Sequence, residues 1–157
     1  MKLRLEDIPA EGLSVDFELN RVNPEDLGPQ VAFVASPPEA QLRLTPVNGV
    51  ILAKGQGKAG LVLTCSRCLK EIPFTLDLDL SLAFQTRPPG GVDEVKLSAE
   101  DLDANFLDGD EIDLGQALVD EISLELDMAP LCREDCPGLC PGCGKPRSQG
   151  DCGCRRD

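Results

Sequence analysis

Over the N-terminal half of the chain, apolar residues recur at every second position. Leu13, Val15, Phe17 and Leu19 alternate with Ser14, Asp16 and Glu18, the period-two pattern of a half-buried strand. Leu3 and Leu5 give residues 1–8 the same reading. Beyond the turn-rich "NPEDLGP", residues 31–35 and 41–47 form two short runs bounded by Pro or Gly, each predicting a short strand. Residues 49–54 and 61–65, joined by the glycine-rich "GQGKAG", predict a hairpin with its turn at those glycines. The clearest strand follows. Phe74, Leu76, Leu78, Leu80, Leu82 and Phe84 share one face, with Asp77 and Asp79 on the other.

The sheet pattern breaks at "QTRPPGGVDE", and the acidic stretch 97–113 predicts a loop with a short strand at each end. From Asp113 the period changes from two to that of a helix. Asp113 suits an N-cap, Gln116 stands three residues on as in a capping box, and Leu114, Leu118 and Ile122 form an apolar stripe. A helix over 114–126 follows, with the stripe packed on the sheet and "MAP" ending it at Pro130. The expected class is α+β: a mostly antiparallel β-sheet that could curl into a barrel-like form, one packed helix, and a cysteine-rich C-terminal tail. The expected division is a sheet-plus-helix domain, 1–130, and a metal-binding tail, 131–157.

A chain of 157 residues can bury a full apolar core, and no apolar run approaches signal-peptide or membrane-span length. The expected location is therefore cytoplasmic, without a membrane partner. The net charge of -13 is unevenly distributed. Residues 1–130 carry 10 Lys/Arg against 24 Asp/Glu, and residues 131–157 carry 5 against 4. Such a body repels nucleic-acid backbones; its acidity serves either solubility or a surface for a basic partner, and composition alone does not choose between them. Histidine is absent, which removes His-based triads and His acid–base catalysis.

Six of the eight cysteines fall between Leu131 and Cys154. In a reducing compartment clustered cysteines read as metal ligands or reactive thiols rather than disulfides. Without histidine, a zinc site must rest on thiolates or carboxylates. "CSRC", Cys65 and Cys68, stands where one strand turns back into the next, so both sulfurs can converge on a metal. The competing readings are two unliganded thiols at a hairpin end and a redox pair, the latter needing the motif to open a helix in a βαβ unit.

The tail runs Cys132, Cys136, Cys140, Cys143, Cys152, Cys154, and its "CPGCG" has the Pro and Gly that a tight metal-binding turn favours. With only Leu131 and Leu139 as large apolar residues, the tail would draw most of its folding free energy from metal, on the order of 10 kcal/mol for a structural zinc site. One or two structural Zn²⁺ ions are expected. Several groupings are open: one four-thiolate site with two spare sulfurs, two ions sharing thiolates, or Cys140/Cys143 joining Cys65/Cys68 with the other four forming a second site. Cys136, Cys140 and Cys143 also have the C-x3-C-x2-C spacing of radical-SAM iron–sulfur enzymes, but only 14 residues follow Cys143. Arg133, Lys145, Arg147, Arg155 and Arg156 could touch RNA phosphates. With no Trp or Tyr and with five Phe, most at core-like positions, a base-stacking platform is poorly supplied.

The succession of "CSRCLKEIPF", an acidic connection, "IDLGQALVDEISLELDMAPLC", "CPGLCPGCGKP" and a closing "CGC" resembles the YceD family, the large ribosomal RNA subunit accumulation proteins. The likeness spans residues 49–154. It implies a non-enzymatic ribosome biogenesis factor for 23S ribosomal RNA, with a basic large-subunit ribosomal protein or the 23S precursor as partner and no small-molecule substrate. Where family tails commonly read "CGxNLN", this chain has "CGKPRSQG", which keeps the cysteines and changes the loop after them.

Overall fold

The computed structural model describes residues 1–86, 104–107, 109–150 and 152–154. Strand β1 (Lys2–Arg4) leads through a 3-10 turn to β2 (Leu13–Glu18), a one-turn helix α1 (Pro24–Leu27) and three long strands, β3 (Val31–Val47), β4 (Val50–Thr64) and β5 (Glu71–Thr86). Short strands β6 (Ala104–Leu107) and β7 (Glu111–Asp113) precede helix α2 (Leu114–Glu125). The main sheet has the order β2-β3-β4-β5-β6, and β1 pairs with β7 in a separate two-stranded ribbon. The pairings are antiparallel except β5–β6, which is parallel. The α+β reading stands, and the described sheet is open, with edges at β2 and β6, rather than closed into a barrel.

Period-two patterning sets the faces. Ala40, Leu42 and Leu44 of β3, Ala53, Ala59 and Leu61 of β4, and Leu76 to Phe84 at alternate positions of β5 are buried in one core. Helix α2 closes that core with Leu114, Leu118 and Ile122, each at most 1 % exposed. The Asp113 carboxylate accepts the Gln116 N–H at 3.0 Å, the N-cap the sequence indicates. Among the described residues the reciprocal bond of a capping box is absent, and the Gln116 amide nitrogen donates to Asp120 at 2.9 Å.

Three expectations are corrected. Residues 31–35 and 41–47 belong to one strand, and the interruption is a bulge in which Pro37 and Pro38 oppose Ala59. A bulge tolerates prolines because its residues need not donate to the ladder. Second, "GQGKAG" is not a turn but the middle of β4. A Cβ on Gly55 would collide with the Gln41 carbonyl, and one on Gly57 would lie 3.1 Å from Leu80 Cδ1 and 3.2 Å from Leu118 Cδ1. Glycine is used here for close approach by β3 and by the helix. The turn itself is Asn48-Gly49, with φ of 50° and 85°, between the paired Val47 and Val50. This is the two-residue hairpin that requires left-handed residues. Third, Phe33 (46 % exposed) and Phe74 (36 %) stand at the surface, so fewer phenylalanines serve the core than their positions in the sequence suggest. Of the strands expected at the ends of the acidic stretch, β7 is present, while residues 97–103 lie outside the described residues.

Candidate metal centres

The end of the β4–β5 hairpin is the foundation of the first cluster. β4 stops at Thr64, and the chain turns through Cys65-Ser66-Arg67-Cys68 before β5 begins at Glu71. Two hydrogen bonds define the turn: the Leu69 N–H donates to the Cys65 carbonyl (2.9 Å), and the Cys65 N–H donates to the Lys70 carbonyl (2.9 Å). The tail repeats the pattern. The Gly144 N–H donates to the Cys140 carbonyl (2.8 Å), and the Cys140 N–H to the Lys145 carbonyl (2.8 Å). The residue after the second cysteine is left-handed in both, Leu69 at φ 60° and Gly144 at φ 72°. Two sequences sharing only C-x2-C and a lysine therefore build one backbone knuckle twice.

The eight cysteines gather into two groups of four, Cys65, Cys68, Cys132 and Cys136 in an inner cage and Cys140, Cys143, Cys152 and Cys154 in an outer one, with the sulfurs of each within 4.8 Å of one another. In the inner cage Cys65 Sγ lies 3.8 Å from Cys136 Sγ, and Cys68 Sγ 3.7 Å from Cys132 Sγ. A tetrahedron of sulfurs at the zinc–thiolate bond length has edges of about 3.8 Å. In the outer cage Cys140 and Cys152 approach to 3.2 Å.

This grouping is none of those the sequence offered. Cys65/Cys68 are met by Cys132/Cys136, not by Cys140/Cys143, which close locally with Cys152/Cys154. The cause is the path of the chain after α2. The Ser66 N–H and hydroxyl both donate to the Pro130 carbonyl (2.9 and 3.0 Å), so the first cysteines after Pro130 reach the knuckle. Arg67 then donates to the Cys136 carbonyl at 3.2 Å. The signal available in the sequence was order: four successive cysteine pairs, the first joined to the second and the third to the fourth.

The electrostatics suit a cation. Burial opposes ionisation of Cys65 most, yet the N–H groups of Cys132, Cys68 and Arg67 point at its sulfur and hold its pKa down to about 6. Cys140 also falls to about 6, through the Cys152 thiol first and then the Gly142 and Cys143 N–H groups. Cys132 is pushed up to about 12, chiefly by the Cys136 sulfur and by burial, and Cys154 to about 12, chiefly by Cys143 and Cys152. In each cage one thiol is readied to ionise while two others are opposed, Cys68 and Cys132 in the inner cage and Cys152 and Cys154 in the outer. A divalent cation removes that conflict. The donor set, four convergent thiols with N–H groups behind them, fits a soft or borderline metal ion such as zinc.

The loop that departs from the family pattern is held by its backbone. Arg147 N–H donates to the Gly138 carbonyl (3.0 Å), Leu139 bridges Pro146, and residues Arg147–Gln149 form a 3-10 turn.

Residues 53–157 match the family model described as large ribosomal RNA subunit accumulation protein YceD. The chain belongs to the YceD family. Both cages lie within the matched region. Uncharacterised proteins of Mycobacterium tuberculosis and Mycobacterium bovis are each 37 % identical over 108 residues, covering 69 % of this chain and 50 % of theirs. An uncharacterised protein of Mycobacterium leprae is 36 % identical over 109 residues, covering 69 % of this chain and 48 % of its own length. The chain thus matches about half the length of these relatives. No solved structure matches it significantly.

Proposed function

We propose that this YceD protein is a non-enzymatic, zinc-stabilised factor of large-subunit assembly in the cytoplasm, supporting accumulation of 23S ribosomal RNA by binding a basic large-subunit ribosomal protein, the precursor RNA, or both. The observation that carries the metal part is the pair of four-sulfur cages on a repeated knuckle. Zinc in both would cross-link backbone and contribute no redox chemistry of its own. The thiol-redox alternative for Cys65 and Cys68 is disfavoured by burial: Cys65 is 0 % and Cys68 4 % exposed, closed off by two further sulfurs.

A basic protein partner is supported by the solvent face of the sheet. A concavity of about 750 Å³ there is lined by Asp16, Glu18, Glu39, Asp77 and Asp79, with Lys58 the one basic residue lining it among the described residues. Such a surface repels phosphate and attracts lysine- or arginine-rich chain. Among the described residues no helix is long and apolar enough to cross a membrane.

The deciding experiment is deletion of the gene in its host, with the ratio of mature large- to small-subunit ribosomal RNA and a sucrose-gradient profile as readouts. A selective fall in large-subunit RNA, restored by the wild-type gene, is expected. An unchanged ratio under slow and fast growth would remove the assembly role.

A further inference from the structure

The two cages share a knuckle but not an environment. Three inner cysteines are buried, Cys65, Cys68 and Cys136, and Cys132 is half-buried. In the outer cage Cys140 is buried, Cys152 is half-buried, and Cys143 and Cys154 are exposed. Apolar support is equally uneven. Of the tail's two leucines, Leu139 packs with Ile72 against the inner cage, and Leu131 is 36 % exposed.

Connectivity separates them further. The inner cage ties the β4–β5 hairpin to the chain beyond α2, and the Ser66–Pro130 and Arg67–Cys136 hydrogen bonds must break before its halves separate. All four outer ligands lie between Cys140 and Cys154, and the Cys140–Lys145, Gly144–Cys140 and Arg147–Gly138 backbone hydrogen bonds beside them are local.

We propose that the outer cage is an exchangeable, thiol-reactive metal site, while the inner cage holds its ion as a permanent part of the fold. The proposal rests on the metal reading above. Removal of a thiolate-bound ion begins with a competing ligand or electrophile reaching metal or sulfur. Cys143 and Cys154 offer that approach; the inner sulfurs require the hairpin end to open first. A peroxide reacts at the same place. Two thiolates, one hydrogen peroxide and two protons give one disulfide and two waters, so two peroxides oxidise all four outer thiolates and set the divalent ion free. The outer cage is then the point at which metal supply or oxidant acts on the tail that presents the exposed Lys145 and Arg147.

The test uses the full chain loaded with zinc. Native mass spectrometry follows zinc content during treatment with EDTA, and N-ethylmaleimide labelling under native conditions maps the cysteines as they are released. The expected result is loss of one of two ions in a fast step, with early label on Cys140, Cys143, Cys152 and Cys154 and none on Cys65, Cys68, Cys132 or Cys136. Cys143→Ser should hold one ion and lack the fast step; if that variant fails to fold, the wild-type label map still decides. Simultaneous loss of both ions, or early label on the inner four, overturns the proposal. A chain that takes up no zinc in reconstitution overturns the metal reading itself, a different and recognisable outcome.

Discussion

Pro130 and Ser66, far apart in sequence, are joined twice, the Pro130 carbonyl accepting both the N–H and the hydroxyl of Ser66 at 2.9 and 3.0 Å. That junction makes the inner cage a clamp between the long hairpin and the chain leaving α2. Cys136→Ser should therefore loosen more than its own loop. The expected cost is roughly 4 kcal/mol or more, on the scale of losing a structural metal. Zinc content should fall by one ion, and hydrogen exchange should speed up at the β4 and β5 ends beside the knuckle. Replacing both Cys140 and Cys143 by Ser should also remove one ion but leave exchange in the sheet unchanged. Melting of the sheet in that double variant would contradict the local closure of the outer cage.

Leu69 occupies a position that the matching knuckle gives to Gly144. It is held at φ 60° and is 61 % exposed, so its side chain gains little to offset a left-handed backbone. Leu69→Gly should stabilise the zinc-loaded protein by about 1 kcal/mol, the usual cost of that conformation for an L-residue, less the greater flexibility of glycine in the unfolded chain. Gly144→Ala should destabilise by a similar amount. Denaturant midpoints at fixed free zinc measure both, and a loss of stability in Leu69→Gly would show that the exposed leucine packs more than its exposure suggests.

The glycines of the β3–β4 hairpin separate two uses of the residue. Gly49, at φ 85°, has open space where a Cβ would go, so Gly49→Ala should cost only backbone strain, about 1 kcal/mol. Gly55 has the Gln41 carbonyl in that space, and Gly55→Ala must push β3 from β4. A cost of roughly 3 kcal/mol, at the upper end of overpacking, is expected, read from thermal or urea unfolding. Equal costs at the two sites would mean that the β3–β4 approach can relax.

That contrast explains what the sequence disclosed. Alternation located β2 and β5, and the Asp113 cap with the Leu114, Leu118, Ile122 stripe located α2, because burial of one face leaves a local periodic record. "GQGKAG" misled because glycine marks both turns and close approach, and only the position of Gln41 and Leu118 tells them apart. The parallel β5–β6 pair leaves no local trace at all. All eight cage residues were legible as cysteines in spaced pairs, and the order of those pairs was the one local sign of their partnership. That partnership depends on one carbonyl, that of Pro130, lying beside Ser66.

Asp113 caps α2, and its pKa is set by opposing effects. Partial burial raises it, but the Gln116 N–H and the positive chain terminus bring it below the ordinary 3.8. A depressed folded pKa gives stability that is present above the unfolded value and lost as the pH falls through the folded one. Asp113→Ala should cost about 1 kcal/mol at neutral pH, and Asp113→Asn less, since the amide oxygen can still cap. Below pH 3.8 the wild type should lose its advantage over Asp113→Asn, which has no carboxylate there to titrate. Urea unfolding of the pair across that range, each compared in the metal-free state, checks the sign.

Glu18 and Glu39 stand directly opposite each other in the β2–β3 register, a like-charge pair that weakens a sheet. Both line the concavity on the solvent face. If that face receives a basic partner, the carboxylates act against stability and for binding, and one substitution should move the two in opposite directions. Glu18→Gln removes the repulsion while leaving Lys58 its partner Asp77 at 3.5 Å. Stability should rise by a few tenths, about 0.3 kcal/mol. Capture of basic large-subunit proteins from ribosomal extract should fall, and should fall further for Glu18→Lys. Binding that is indifferent to both changes would move the partner surface elsewhere, to the cationic tail and hence toward RNA.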